Sequence, residues 1–203
     1  MEEKGFSQYS IPFLFTKNKT SGTYKGKRLL DITISSLFLL LSIPVLLLAS
    51  LLILISSGKP VMFKQERMIP GGKSFTTLKL RTMKDGKVTW AGKILRPHHI
   101  DEIPQFWNVI KGDMSLVGPR PIQAHIVKYF QEENHDSLML SGITGLMQIT
   151  LDFPRDHENP ITTNQKVALY LLLNKIYKDN CCLANDLIIL FFTIFRCLTG
   201  KSQ

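Results

Sequence analysis

Residues 32–56, ITISSLFLLLSIPVLLLASLLILIS, run for 25 positions without one charged side chain. A helix rises about 1.5 Å per residue, and about 20 apolar residues cross a bilayer, so the segment is long enough to do so. The core helix of a soluble protein is the alternative, but such helices seldom run this far without a polar face. A cleaved signal peptide is disfavoured: the run starts only at Ile32 and ends in Ser56-Ser57-Gly58-Lys59, with no small-residue cleavage pattern.

Pro44, near the middle, removes a backbone donor and kinks the helix, and Ser42 is placed to bond the carbonyls this frees. Both flanks are basic, with Lys25, Lys27 and Arg28 before the run and Lys59, Lys64 and Arg67 after it. The positive-inside tendency keeps both ends on one side, which suits a re-entrant helix better than a straight crossing. Many crossing helices also carry a proline, so the residues alone leave both arrangements open.

The remaining sequence divides into a tail over 1–24, the membrane element over 25–58 and a domain over 59–203. Residues 60–83 predict a β-hairpin around Pro70-Gly71, with Lys79 and Arg81 sharing one face. Residues 84–100 are expected to be a loop-rich link, 102–111 a helix, 112–121 a Gly/Pro-rich loop and 122–133 a helix. The stretch 141–149 carries turn signals, and helices close the chain at about 162–178 and 183–198. The apolar LIILFFTIF at 187–195 is too short to span; it either lies in a membrane interface or packs into the core.

Twenty-five Lys and Arg against 16 Asp and Glu leave a formal charge of +9, which suits an anionic partner: nucleic acid, acidic lipid or a phosphate-rich small molecule. No recognition-helix or RNA-motif pattern is present, and the apolar segment argues against nucleic acid. Cys181, Cys182 and Cys197 form neither a disulfide framework nor a CxxC zinc pair, and are expected to be reduced thiols.

Against this basic background, Asp101 and Glu102 stand side by side ahead of a helical pattern. Capping accounts for their position, with Asp101 as N-cap and Pro104 tolerated in the first turn. The pair also suits phosphoryl transfer, one carboxylate attacking phosphorus while its neighbour holds Mg²⁺ against a diphosphate. Such an attack meets like-charge repulsion, and Arg67, Lys79, Arg81, Arg96 and Arg120 are the cations available to relieve it. Arg120, between Pro119 and Pro121, has little backbone freedom and is suited to a bidentate grip on phosphate. Gly72-Lys73-Ser74 is not a phosphate-binding P-loop, because Arg67 stands where the first glycine is needed. His98-His99 lacks zinc-ligand spacing and fits a polar loop.

Several stretches together resemble a known family, the bacterial sugar transferases known as monotopic phosphoglycosyl transferases. They are Lys27-Arg28-x-x-Asp31, the Pro44-broken helix, Gln65-x-Arg67, Phe75-xxx-Lys79-Leu80-Arg81-Thr82-Met83 and Gly142-Ile143-Thr144-Gly145-Leu146-x-Gln148. The most specific is Asp101-Glu102-x-Pro104-Gln105-xx-Asn108-Val109-xx-Gly112-Asp113-Met114-Ser115-Leu116-Val117-Gly118-Pro119-Arg120-Pro121. The resemblance implies an α/β, membrane-associated monotopic enzyme with an N-terminal re-entrant helix broken at Ser42 and Pro44, a β-hairpin and a mostly helical catalytic domain on the cytoplasmic face of the bacterial inner membrane. It implies transfer of a sugar 1-phosphate from a UDP-sugar to undecaprenyl phosphate with release of UMP, as the first step of surface glycan assembly. Asp101 matches the aspartate that carries the phosphosugar, Glu102 the magnesium-binding neighbour and Arg120 the arginine near the donor phosphates. Gln148 joins Arg67, Lys79, Arg81 and Arg96 as a substrate-binding candidate. Ile43 replaces a frequent serine, residues after Gln148 depart from the usual Gly-Arg pair, and Asn174 replaces a frequent aspartate. These changes leave the sugar open, and the altered stretch 149–160 is what would suit a catalytically degenerate scaffold instead.

Overall fold

The computed structural model describes residues 23–68, 74–121, 139–150 and 164–199, apart from the side chains of 164–167, 198 and 199. The predicted turn at Pro70-Gly71, the helix at 122–133 and the tail up to residue 22 lie outside these residues.

The apolar run forms two helices, α1 (Lys27–Leu41) and α2 (Ile43–Ser57), bent by 58° at Ser42. Pro44 is the second residue of α2 and contributes no N–H, while the Ser42 hydroxyl donates to Phe38 O at 2.7 Å. A hydroxyl bonding back to the i−4 carbonyl next to a proline is a recognised cause of helix bending. Among the described residues no single helix is long and apolar enough to cross a membrane, but this bent pair passes that test together.

The polarity of α1 is inverted. Its buried residues are Lys27, Asp31 and Ser35, four apart on one face, while Leu29, Ile34, Leu37, Leu40 and Leu41 are exposed. The polar stripe ties α1 to the rest of the chain. Asp31 accepts from Ser115 Oγ at 2.7 Å and from Leu116 N at 3.1 Å. Arg28 donates to Val109 O and Ile110 O at 2.7 and 2.9 Å, satisfying the last carbonyls of α4 (Gln105–Lys111). Lys27 is buried against Asp186. These residues, expected to be flanking charges, therefore dock the helix rather than face solvent. Along α2, Ala49 and Ile53 pack on Leu80, Ala91 and Leu95, and its other faces expose Leu47, Leu48, Leu51 and Ile55.

Strands β1 (Met62–Met68) and β2 (Ser74–Leu80) make the predicted antiparallel hairpin, with Arg67 opposite Phe75 and Phe63 opposite Lys79. Gln65, Arg67, Thr77 and Lys79 thus share one face. The outer edge of β2 is covered by a side chain: Asn108 accepts from Leu78 N at 3.0 Å and donates to Thr76 O at 2.7 Å.

Four segments differ from expectation; the first is 112–121, expected to be a loop, in which Met114–Val117 form a buried strand. Residues 84–100 are structured: a small hairpin of β3 (Met83–Lys84) and β4 (Lys87–Val88), then α3 (Trp90–Leu95) capped by Thr89, whose hydroxyl accepts from Gly92 N at 3.0 Å. The hairpin signal was Asp85-Gly86, both at positive φ as a tight primed turn requires. The helix expected from residue 102 starts at Gln105, because Ile100–Glu102 form a 3₁₀ turn. Asp101 is accordingly not the N-cap of α4; Pro104 holds that position. The turn-rich stretch 141–149 is β6 (Ser141–Thr144) and α5 (Leu146–Thr150), with β6 parallel to β5 (Met114–Val117). Its glycines serve close approach: a Cβ on Gly142 would overlap the backbone of Gly118, and one on Gly118 would lie 2.6 Å from Leu140 O.

α6 (Asn164–Asp179) and α7 (Leu183–Thr199) close the main core, which gathers Val109, Met114, Val117, Met147, Tyr170, Leu173 and Ile189. α7 packs one face into the core and leaves another exposed. Asn185, Asp186 and Ile189 are buried, whereas Leu183, Leu187, Phe191, Ile194 and Phe195 form an exposed stripe.

Candidate active site

His99, with a left-handed φ of 54°, turns the chain into Ile100-Asp101-Glu102. Left-handed backbone at a non-glycine residue carries a cost and marks a constrained position. Asp101 is buried and Glu102 half-buried. Glu102 Oε1 accepts from Lys79 Nζ of β2 at 2.7 Å, and its Oε2 lies 3.8 Å from His99 Nδ1. Burial alone raises the Glu102 carboxyl, but the Lys79 ammonium and His99 outweigh it and hold the group well below the usual carboxylate range. Glu102 is therefore ionised at neutral pH.

Arg67 sits on the same hairpin face as Lys79 and bonds Gln65 Oε1 at 2.8 Å. Burial and the nearby Arg120 guanidinium push its pKa down to about 10, while Glu102 pulls the other way. It stays protonated at pH 7, and its coupling to both groups joins hairpin, 3₁₀ turn and Pro119-Arg120-Pro121 loop into one charged cluster. The loop itself is held by Gly118 N donating to Thr144 O and Gly142 N donating to Pro119 O, each at 2.9 Å.

The other candidates are placed differently. Arg81 was expected beside Lys79, but β2 ends at Leu80 and the alternation lapses. The Arg81 side chain instead donates to Ser57 O and Gly58 O at the C-terminus of α2, where unsatisfied carbonyls favour a cation. In this position it secures that helix end. Arg96 follows α3 and its carbonyl accepts from His99 N, so it helps form the turn leading to the carboxylates. Gln148 lies on α5, its Nε2 3.5 Å from Ile143 O. His99 and Asn108 contribute more than the sequence reading gave them; the signal for His99 was its proximity to Glu102.

The donor set fits a hard divalent cation in part. Among the described residues no group of three or more His, Cys, Asp or Glu is arranged to hold a metal. Two adjacent carboxylates, one of them firmly ionised, are what Mg²⁺ uses when substrate phosphates complete its shell.

Residues 22–200 match the family profile of the bacterial sugar transferases. The chain belongs to that family. The chain is 35% identical over 192 residues to the UDP-N-acetylgalactosamine-undecaprenyl-phosphate N-acetylgalactosaminephosphotransferase of Aeromonas hydrophila, covering 86% of this chain and 44% of the relative. It is also 35% identical over 199 residues to the UDP-glucose:undecaprenyl-phosphate glucose-1-phosphate transferase of Klebsiella pneumoniae, covering 87% of this chain and 41% of that one. A Bacillus subtilis relative, the uncharacterized sugar transferase EpsL, is 35% identical over 189 residues, with 86% and 88% of the two chains covered. The chain therefore spans less than half of the first two of these relatives and most of the third.

Proposed function

We propose that this chain transfers a sugar 1-phosphate from a UDP-sugar to undecaprenyl phosphate and releases UMP, working at the cytoplasmic face of a bacterial inner membrane. The observation that carries the reading is Glu102, next to Asp101 in the chain, held ionised by Lys79 beside Arg67 and Arg120, on the scaffold of a family with relatives named for UDP-sugars and undecaprenyl phosphate. Membrane embedding is supported by the inverted polarity of α1 and the exposed apolar faces of α2 and α7, which water would penalise and lipid would not. In this reading residues 25–58 form a re-entrant element, and 59–203 the catalytic domain resting on the bilayer.

The reaction has two displacements. A carboxylate oxygen of Asp101 attacks the donor's β-phosphorus, the pyrophosphate P–O bond breaks, and UMP leaves with the bonding pair. An oxygen of the lipid phosphate then attacks the same phosphorus, breaking its bond to Asp101 and restoring the carboxylate. Arg120 and Arg67 hold the diphosphate and offset its repulsion of Asp101, and Lys79 fixes Glu102 in its ionised form. Glu102 would hold Mg²⁺, which would further neutralise the charge of the donor phosphates. An acceptor head group lying at the interface reaches this site already oriented.

The purified chain in lipid nanodiscs, given Mg²⁺, undecaprenyl phosphate and UDP-N-acetylgalactosamine, UDP-glucose or UDP-galactose, is expected to release UMP with at least one donor. Release that proceeds equally without the lipid phosphate over many turnovers contradicts the transfer. Lys79 gives a pH test. A carboxylate with a depressed pKa keeps its charge and its stabilising contribution above the ordinary value, and loses them as pH falls through the lower folded value. Lys79→Met removes the main opposing cation, so Glu102 should protonate at higher pH, and the acid limb of UMP release should move upward. An unmoved limb contradicts the role of Lys79.

A further inference from the structure

Tyr170 and Tyr177 lie seven residues apart on α6, within about 20° of the same face and about 10 Å apart along the axis. Both hydroxyls meet the strand-to-loop segment that ends at the site arginine. Tyr170 is fully buried and its OH donates to Arg120 O at 2.7 Å. Tyr177 OH is 3.0 Å from Val117 O, and Lys27 Nζ donates to that carbonyl at 3.0 Å. Three residues span at most about 10 Å, so the spacing of the two tyrosines matches the length of the segment they lie along.

Proton bookkeeping assigns the bonds. Tyr177 has one hydrogen, and Asp186 Oδ1 at 2.7 Å is its better acceptor. The Val117 carbonyl is then satisfied by Lys27, which Asp186 neutralises. At the other end, burial keeps the Tyr170 hydroxyl protonated against the pull of Asn174 and Arg120, so it is a donor throughout. The glycine contacts of β6 hold the opposite side of the segment.

We infer that Val117–Arg120 is clamped at its two ends, by Lys27 of α1 at Val117 O and by Tyr170 of α6 at Arg120 O, and that Tyr170 is a positioning residue which aims the Arg120 guanidinium at the donor diphosphate. The inference rests on the reading of Arg120 as a diphosphate ligand. Tyr170 does not touch the reacting atoms; it fixes the carbonyl of the residue that does. Binding is stronger when the arginine need not be ordered at the moment of encounter.

The test is a double-mutant cycle on the full chain in nanodiscs, with UDP plus Mg²⁺ as the binding probe and calorimetry as the readout. Tyr170→Phe keeps the ring and removes one hydrogen bond, so UDP should bind about three- to tenfold more weakly. In an Arg120→Ala background, Tyr170→Phe should add less than about twofold, because the tyrosine acts through the arginine. A Tyr170→Phe loss that persists undiminished without Arg120, or no loss in either background, overturns the clamp while leaving Arg120 as a ligand. If Arg120→Ala itself leaves UDP binding unchanged, the reading of Arg120 fails and the clamp fails with it.

Discussion

Asp101→Asn is expected to abolish UMP release, by on the order of 10⁴-fold or more, as losses of a covalent nucleophile commonly do. The amide is nearly the same size and shape but lacks the negative oxygen that attacks phosphorus. The fold should not suffer. Asp101 is buried in a 3₁₀ turn and is not the N-cap residue of α4, and asparagine fills the same space. Removing a charge from a buried site commonly leaves stability unchanged or raised, because sites shaped for reaction are seldom shaped for stability. The expected signature is therefore an inactive variant with a wild-type or higher thermal midpoint. A variant that still turns over removes Asp101 as the nucleophile.

The second large effect is on stability. Asp186 is fully buried and takes Lys27 Nζ, Tyr24 OH and Tyr177 OH. Lys27→Met removes the only one of these three that carries a positive charge and leaves a buried carboxylate uncompensated. Breaking such a pair from one side costs about 3–5 kcal/mol. At about 2–4 °C per kcal/mol for a chain of this size, the midpoint should fall by about 6–20 °C. Replacing both partners, Lys27→Met with Asp186→Leu, should recover most of the loss, because well-packed apolar groups commonly substitute for a buried pair. Thermal unfolding in one detergent measures both variants. A single-variant loss under about 1 kcal/mol contradicts the description of Asp186 as a buried charge held by Lys27.

Features encoded locally were legible in the sequence. Pro44 beside Ser42 marked the bend, and Pro70-Gly71 followed by alternation over 74–81 marked the hairpin, whereas the shared face of Arg67 and Lys79 came only with the strand register. Features set by partners far along the chain were not. Lys27 and Arg28 look like flanking charges until Asp186 and the end of α4 are brought to them from 159 and about 80 residues away. Gly142 and Gly145 resemble turn punctuation because spacing along one strand does not reveal a second backbone against it. Asp101 fitted a capping pattern, but Pro104 and the left-handed His99 favour a separate 3₁₀ turn. Around the candidate site the contacts were not legible: Arg81 reaches the end of α2, and the Tyr170 hydroxyl bonds the Arg120 carbonyl 50 residues away.

The most direct test of the mechanism is the mass of the protein during turnover. With Mg²⁺ and a UDP-sugar that it accepts, but no lipid phosphate, a rapidly acid-quenched sample should gain the mass of one sugar phosphate, and peptide mapping should place it on Asp101. Adding undecaprenyl phosphate should discharge the adduct at the rate of product formation. A protein that forms product while never carrying that mass, or carrying it on another residue, contradicts the account.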